Sequence, residues 1–326
     1  MNASLAKGIP FYEAIAMEGI GYNVSGLGNH DFDLGPGILA GFISGFRSLP
    51  FVSANLDFQN EPNLQALVSA GRLGGSTVVK VQGEKIGIIS VIDPALRIIS
   101  SPKNVIINSN LVEVVETEIQ RLQEDGIEII ILMTHLGTLD DDQDLIANLS
   151  GVDIVVAAAS ESVNQLQANP GDVLIPGDVA FAPYPLMVED AGGNDVPLVS
   201  TTRNYRYIGQ LTVGFDKQGI LIALDETRSH PFRVVGGSYP DAVQPDIKLQ
   251  KKVVEPVRAA VDALASNVIA TSEVALDGLE TNIRSVETNE GNLVADALFA
   301  EATRLAPDFG APVPDVAICQ RRRNPQ

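Results

Sequence analysis

The chain has 326 residues, 45% hydrophobic and 19% charged, which suffices for about two packed domains of ~150 residues and excludes a disordered polymer. Its net charge of -19 argues against nucleic-acid backbones and anionic membranes as partners, while a small phosphorylated substrate stays open because local cations decide that affinity. A single cysteine, Cys319, rules out an intrachain disulfide, and three histidines (His30, His135, His230) are too few for a histidine-rich dinuclear site.

In chain order, the first twenty residues carry no basic segment followed by an apolar one, so no signal peptide is expected. No apolar run approaches the ~20 residues of a membrane span. A partial helix is predicted over Phe11 to Met17. The short apolar run Tyr22 to Val24 then enters Gly26-Leu27-Gly28-Asn29-His30-Asp31-Phe32-Asp33-Leu34-Gly35. That pattern is a strand running into a tight polar loop, which is how α/β proteins place chemistry at the carboxyl ends of strands. Asn29 and His30 are metal-capable, and His beside Asp can work as an acid–base pair; a bare loop of this kind can also be a hydrogen-bonded turn.

A helix and the strand Phe51-Val52-Ser53 follow, then Ala54-Asn55-Leu56. Thr77 to Val81 and Lys85 to Ile92 alternate around Gln82-Gly83-Glu84 and predict a hairpin. Asn110 and Glu113 have capping-box spacing, and Leu111, Val115, Ile119 and Leu122 share one helical face up to Asp125-Gly126. Ile127 to Met133 is a buried strand by its β-branched content, and it ends in Thr134-His135-Leu136-Gly137. A histidine at that place is either a metal ligand or a loop residue. Asp140, Asp141, Asp142 and Asp144 read as a solvated loop and the acidic first turn of a helix rather than a cation site. Val152 to Ala158 is a further buried strand, followed by Ala159, Ser160 and Glu161. Tyr205 to Asp216 alternates and turns at Lys217-Gln218-Gly219; His230 beside Pro231 is expected on a surface loop. Pro240 to Pro245 is linker-like, and Lys248 to Ser266 is an amphipathic helix. Arg284-Ser285-Val286-Glu287-Thr288-Asn289-Glu290-Gly291-Asn292-Leu293 opens a helix to about Arg304, and Asp315 to Cys319 is expected as a buried strand.

Gly28 to Asp33 resembles the Gly-Asn-His-(Asp or Glu)-Phe-Asp motif of calcineurin-like metallophosphoesterases, specifically the 5′-nucleotidase branch. Ser53 to Leu56, Thr134 to Gly137, Tyr205 to Gly219 and Arg284 to Leu293 resemble further stretches of that family. The resemblance implies an α/β (α+β) fold: a four-layer α/β/β/α sandwich plus the start of a 5′-nucleotidase C-terminal α/β domain. Residues 1–240 would form the metallophosphoesterase domain, 241–266 a linker helix, and 267–326 a partial C-terminal domain.

The resemblance also implies roles. The family hydrolyses phosphate esters, mainly nucleoside 5′-monophosphates and related nucleotides, with two divalent metal ions (Zn, Mn, Mg, Co or Ca). Asn29 is implied as a metal ligand near the transferring phosphoryl group. His30, oriented by Asp33, would stabilise the transition state or protonate the leaving group. Asp31 would support the loop, His135 would ligate metal, and Arg284 would hold substrate. Where the family has Gly-His-x-His, this chain has Ala158, Ala159, Ser160 and Glu161, which leaves Glu161 as a carboxylate at the second ligand position.

The family's leading Asp-x-His and Gly-Asp pairs have no counterpart, so a chain truncated at both ends is expected. One codon choice for Arg321 to Gln326, read one base later, spells Gly-Gly-Gly-Ile-Arg, the family's substrate loop; a shifted reading frame is expected there. The missing ligands leave a second reading open, an inactive fragment or non-catalytic binding remnant. A periplasmic or cell-surface location is implied by the family. The expected partner is a small phosphorylated nucleotide, with no nucleic acid and no membrane span.

Overall fold

The structure, a computed structural model, describes residues 11–158, 165–202, 204–268 and 270–318. The chain divides between Val261 and Asp262 into two compact units.

The first unit opens with α1 (Tyr12–Ile20), β1 (Ser25–Gly26), α2 (Pro36–Ser44), β2 (Phe51–Val52), β3 (Leu56–Asp57), α3 (Pro62–Ser69) and β4 (Leu73–Gly74). The hairpin β5 (Ser76–Val81) and β6 (Glu84–Ile92) follows, then α4 (Leu96–Ile99), β7 (Ile106–Ile107), α5 (Leu111–Glu124), β8 (Ile129–His135), α6 (Leu139–Ile146) and β9 (Ile154–Ala158). Six strands complete it: β10 (Leu186–Glu189), β11 (Asp195–Thr201), β12 (Tyr207–Gln210), β13 (Val213–Phe215), β14 (Leu221–Leu224) and β15 (His230–Arg233).

The expected hairpin forms because Gln82 and Gly83 both take left-handed backbone (φ 52° and 98°), which matches strand twist in a two-residue turn. In α5, the Asn110 side chain accepts from the Glu113 N–H while its amide donates to the Glu113 carboxylate at 2.7 Å. Val115, Ile119 and Leu122 face inward, as their spacing predicts.

Two sheets carry the unit. One is parallel, in the order β1-β2-β4; the other has the order β10-β11-β9-β8-β6-β5. In the larger sheet β6, β8, β9 and β11 run parallel, with antiparallel β5 and β10 at the edges. Parallel strands need both faces covered, which is why β8 and β9 read as continuous Ile/Val runs. One face packs on α5 and α6 through Ile89, Leu122, Ile130, Leu132 and Val155. The smaller sheet packs on α1, α2 and α3 through Leu27, Phe32, Ile43, Phe51, Leu64 and Leu73. Phe11, Phe42, Phe46 and Phe51 meet edge-on there, with ring centroids 5.1–5.9 Å apart. The two sheets meet where β1 approaches β8 and β2 approaches β6. The order is helices, sheet, sheet, helices, the α/β/β/α sandwich expected.

Asn55 ties this sandwich together from a buried position. Its amide donates to the Ile92 and Asn108 carbonyls and accepts from the Ile92 N–H. The Ser53 to Leu56 stretch is therefore a buried backbone anchor.

After β15 come α7 (Ile247–Leu249), α8 (Glu255–Ser266) and α9 (Glu280–Ser285), and in the second unit Thr288 caps α10 (Asn289–Leu305), accepting from the Gly291 N–H at 3.1 Å. Asn289 donates to the Ala275 carbonyl and accepts from the Asp277 N–H, and Asn292 donates to Glu287. The Glu-Thr-Asn-x-Gly-Asn pattern is thus a helix start laced to the preceding loop. It follows a short helix, Glu280–Ser285, that carries Arg284.

Two expectations need correction. His230 starts strand β15, paired with Gln210 and stacked on Phe232 at 4.1 Å, because Phe232 and Arg233 supply β-compatible pairing partners for β12. Asp315 to Ile318 is not a buried strand: Val316 and Ile318 are 67% and 81% exposed, and no described strand pairs with them. Cys319 lies outside the described residues.

Candidate active site

The site grows from the ends of strands. β1 passes through Leu27, fully buried, into Gly28, and residues Asn29–Phe32 make one 3₁₀ turn. A 3₁₀ helix has three residues per turn, so positions i and i+3 eclipse. His30 and Asp33 stand at that spacing, and the His30 Nδ1–H donates to Asp33 Oδ2 at 2.6 Å. Phe32, wholly buried between them, pins the turn to the core. Both members of the pair stay open to solvent, 54% and 44% exposed.

Asp31 turns inward and accepts the Gly28 N–H at 2.8 Å. Desolvation pushes its carboxyl up to about 6, against the pull of that N–H and of His30. It closes the loop as expected.

His135 is the last residue of β8, in register with Ile92. Its carbonyl accepts from the Asp93 N–H at 2.9 Å, which fixes the backbone. The ring reaches across to the first loop, and its Nε2 lies 2.8 Å from Asn29 Oδ1, 106 residues away in sequence. An amide oxygen only accepts, so Nε2 carries the hydrogen here. Gly28 makes this approach possible: a Cβ built on it would stand 3.0 Å from His135 Cε1.

The structure therefore brings Asn29, His30, Asp33 and His135 to one place. Glu161 lies outside the described residues, and Arg284 belongs to the second unit. For a divalent cation, Asn29 and His135 supply fitting donor types, an amide oxygen and an imidazole nitrogen, once Nε2 gives up the hydrogen it shares with Asn29. In number they do not complete a coordination sphere of four to six donors, and the described residues contain no cluster of three His, Cys, Asp or Glu side chains that would.

Beside His135 opens a cavity of about 570 Å³, lined by Gly26, Met133, Val156, Thr201, Asn204 and Tyr205 among others. That is within the range of small-ligand sites. Asn204 and Tyr205 both hold left-handed backbone (φ 67° and 53°), uncommon for Asn and an outlier for Tyr. Only the Asn hinted at this in the sequence. Asp140, Asp141 and Asp142 form the first turn of α6 under the Thr138 cap, the bland expectation, yet Asp142 is only 2% exposed. Desolvation pushes its carboxyl up to about 7, against the neighbouring Thr134 hydroxyl. Its burial was not readable from a run of four acids.

No protein-family model matches the chain. It is similar to a 5′-nucleotidase of Diplobatis ommata, 30% identical over 292 residues that make up 88% of this chain and 47% of that protein. A solved structure of a 5′-nucleotidase precursor from Thermus thermophilus matches with a TM-score of 0.72 and 30% identity, over 92% of this chain and 54% of that one. The calcineurin-like phosphoesterase YfkN from Bacillus subtilis shares the fold, with a TM-score of 0.54 at 18% identity over 81% of this chain and 77% of that one. The chain spans about half the length of the nucleotidases it matches. The sandwich and the strand-end loop accord with these comparisons: over most of its length the chain is similar to 5′-nucleotidases, and it shares the fold of a calcineurin-like phosphoesterase.

Proposed function

We propose that the chain carries the phosphoester-hydrolysing site of a nucleotidase, acting on nucleoside 5′-monophosphates or related nucleotides. The observation that carries this is the His30–Asp33 pair on one 3₁₀ turn, with Asn29 and His135 joined directly beside it. Asp33 takes the Nδ1–H, so the remaining ring nitrogen of His30 is the one that gives or takes a proton at a substrate oxygen. Asn29 would bind a phosphoryl oxygen or a metal, and by the resemblance Arg284 would help to hold substrate.

Asn29, His135 and Glu161 would hold a divalent cation, two such ions being the family's complement. A bound cation supplies Lewis-acid polarisation of a phosphoryl oxygen and a water of lowered pKa. The substrate class rests on the relatives' names and the location on theirs as well: one similar protein is a snake venom 5′-nucleotidase. We extend an exported location to this chain on that likeness. Among the described residues, no helix is long and apolar enough to cross a membrane.

The second reading, a non-catalytic remnant, is favoured by the incomplete donor set among the described residues. Phosphate release from a nucleoside 5′-monophosphate, with Mn²⁺, Zn²⁺ or Co²⁺ and with chelator, separates the two. Metal-dependent turnover that falls about 10²–10⁴-fold in His30→Ala is expected, the usual worth of a general acid or base. Equal background in the wild type and His30→Ala overturns the enzyme reading.

A further inference from the structure

The His30–Asp33 pair has a third member from a distant part of the chain. Ser100 Oγ donates to Asp33 Oδ1 at 2.7 Å, across 67 residues, while Asp33 Oδ2 accepts from His30. We propose that Ser100 is a positioning residue of this site: it holds the Asp33 carboxylate so that Asp33 holds the His30 ring in its Nδ1–H tautomer. The proposal rests on the reading of His30 and Asp33 as a working pair.

Three observations support it. First, Asp33 is 44% exposed, so one contact to His30 would compete poorly with water. A carboxylate tied at both oxygens cannot rotate without breaking a bond. Second, Ser100 is delivered by a pinned segment. Its N–H caps α4 by donating to the Leu96 carbonyl at 2.9 Å, and Leu96 is fully buried. Pro102 and Val105 are buried just beyond it. Arg97 clamps the same loop by donating to the Lys103 and Val105 carbonyls. Third, the turn into α4 begins at Asp93, whose carbonyl accepts from the Leu96 N–H and whose own N–H is bonded to His135 at the end of β8. The segment that carries Ser100 is thus anchored to the same strand end that supplies His135. Locked support of this kind is what holds a reacting side chain in one rotamer.

The prediction concerns the neutral imidazole. The hydrogen bond that one ring nitrogen makes decides which tautomer is present. With Asp33 held, His30 keeps its hydrogen on Nδ1. In Ser100→Ala the carboxylate is free to turn to water, and His30 loses that preference toward the Nε2–H form.

The chain has three histidines, so ¹⁵N-histidine NMR at alkaline pH is assignable with His135→Gln and His230→Gln. The wild type is expected to show His30 protonated on Nδ1. Ser100→Ala should lose most of that signature while its amide spectrum stays folded, and Ser100→Thr, which keeps the hydroxyl, should restore it. An unchanged Nδ1–H tautomer in a folded Ser100→Ala overturns the role of Ser100. A wild type already on Nε2–H overturns the pair itself, and with it the inference. Should Ser100→Ala unfold, Ser100→Cys provides the weak-donor test: an Nδ1–H signature as strong as wild type overturns the proposal, and a reduced one supports it.

Discussion

At the scale of single residues, Gly28 sets how closely the first loop approaches His135. Gly28 has ordinary extended backbone, so alanine there meets no conformational strain. The obstacle is His135, whose ring atoms stand 3.0–3.2 Å from where the Cβ would be. Gly28→Ala must displace that ring and weaken its 2.8 Å bond to Asn29. Overpacking of this kind costs about 1–3 kcal/mol, and the loss should appear as a lower denaturant midpoint with unchanged m-value. A variant as stable as wild type, with His135 NMR shifts unmoved, would show that the ring has room to spare. The residues of the site divide by how they can be read. Asn29, His30 and Asp33 are neighbours in sequence, and His135 ends an unmistakable strand, so all four were legible. Ser100 was not, because a hydroxyl 67 residues away at the end of a single-turn helix leaves no periodicity. The contact of Gly28 with His135 likewise exists only once the two sheets are stacked.

At the scale of elements, local rules served wherever one segment settles its own geometry. The hairpin at Gln82-Gly83, the Asn110 cap and the inward face of α5 all follow from residues within one turn or one helix. The Tyr205 to Asp216 run shows the limit: read as one alternating stretch, it breaks at Leu211-Thr212 into β12, which pairs with β15, and β13, which pairs with β14. Partner choice, set by long-range packing, divided it. Helix α6 carries the clearest electrostatic consequence. Asp142 sits buried on its first turn, and neither its Oδ1 nor the Thr134 hydroxyl finds a well-formed hydrogen bond among the described residues. With its carboxyl pushed up to about 7, the folded state holds a proton there that the unfolded chain has released above about pH 4. That contribution to stability is therefore whole below about pH 4 and declines as pH rises toward 7, by up to about 1.4 kcal/mol per unit. Asp142→Asn removes the titration. It should be more stable than wild type at pH 8 by at least about 1 kcal/mol, with a flatter dependence on pH between 4 and 7. Denaturant melts at pH 5 and pH 8 decide it, and parallel slopes for both proteins would contradict the assignment.

At the scale of the molecule, the two units differ in how much they bury. The first has two continuous apolar clusters, one on each sheet, and its central strands are covered by α5 and α6. The second has α10 with no buried residue along its 17 positions, and Leu293, Leu298, Val316 and Ile318 stand more than half exposed. Helical hydrogen bonds alone seldom hold a segment of this length, since most helix stability in proteins comes from packing an apolar face. The Thr288 cap and the Asn289 tether contribute about 1 kcal/mol each. Opening α10 therefore costs far less than unfolding the sandwich, and the two should separate in native-state hydrogen exchange. Amides of β6, β8 and β9 are expected to exchange at the rate of global unfolding, at least about 100-fold more slowly than those of residues 289–305. Added denaturant should speed the strand amides steeply and leave the helix amides nearly level, because local opening exposes little new surface. Matching rates and slopes across both sets would mean that the two units unfold as one, and that α10 gains its stability from packing rather than from its own cap.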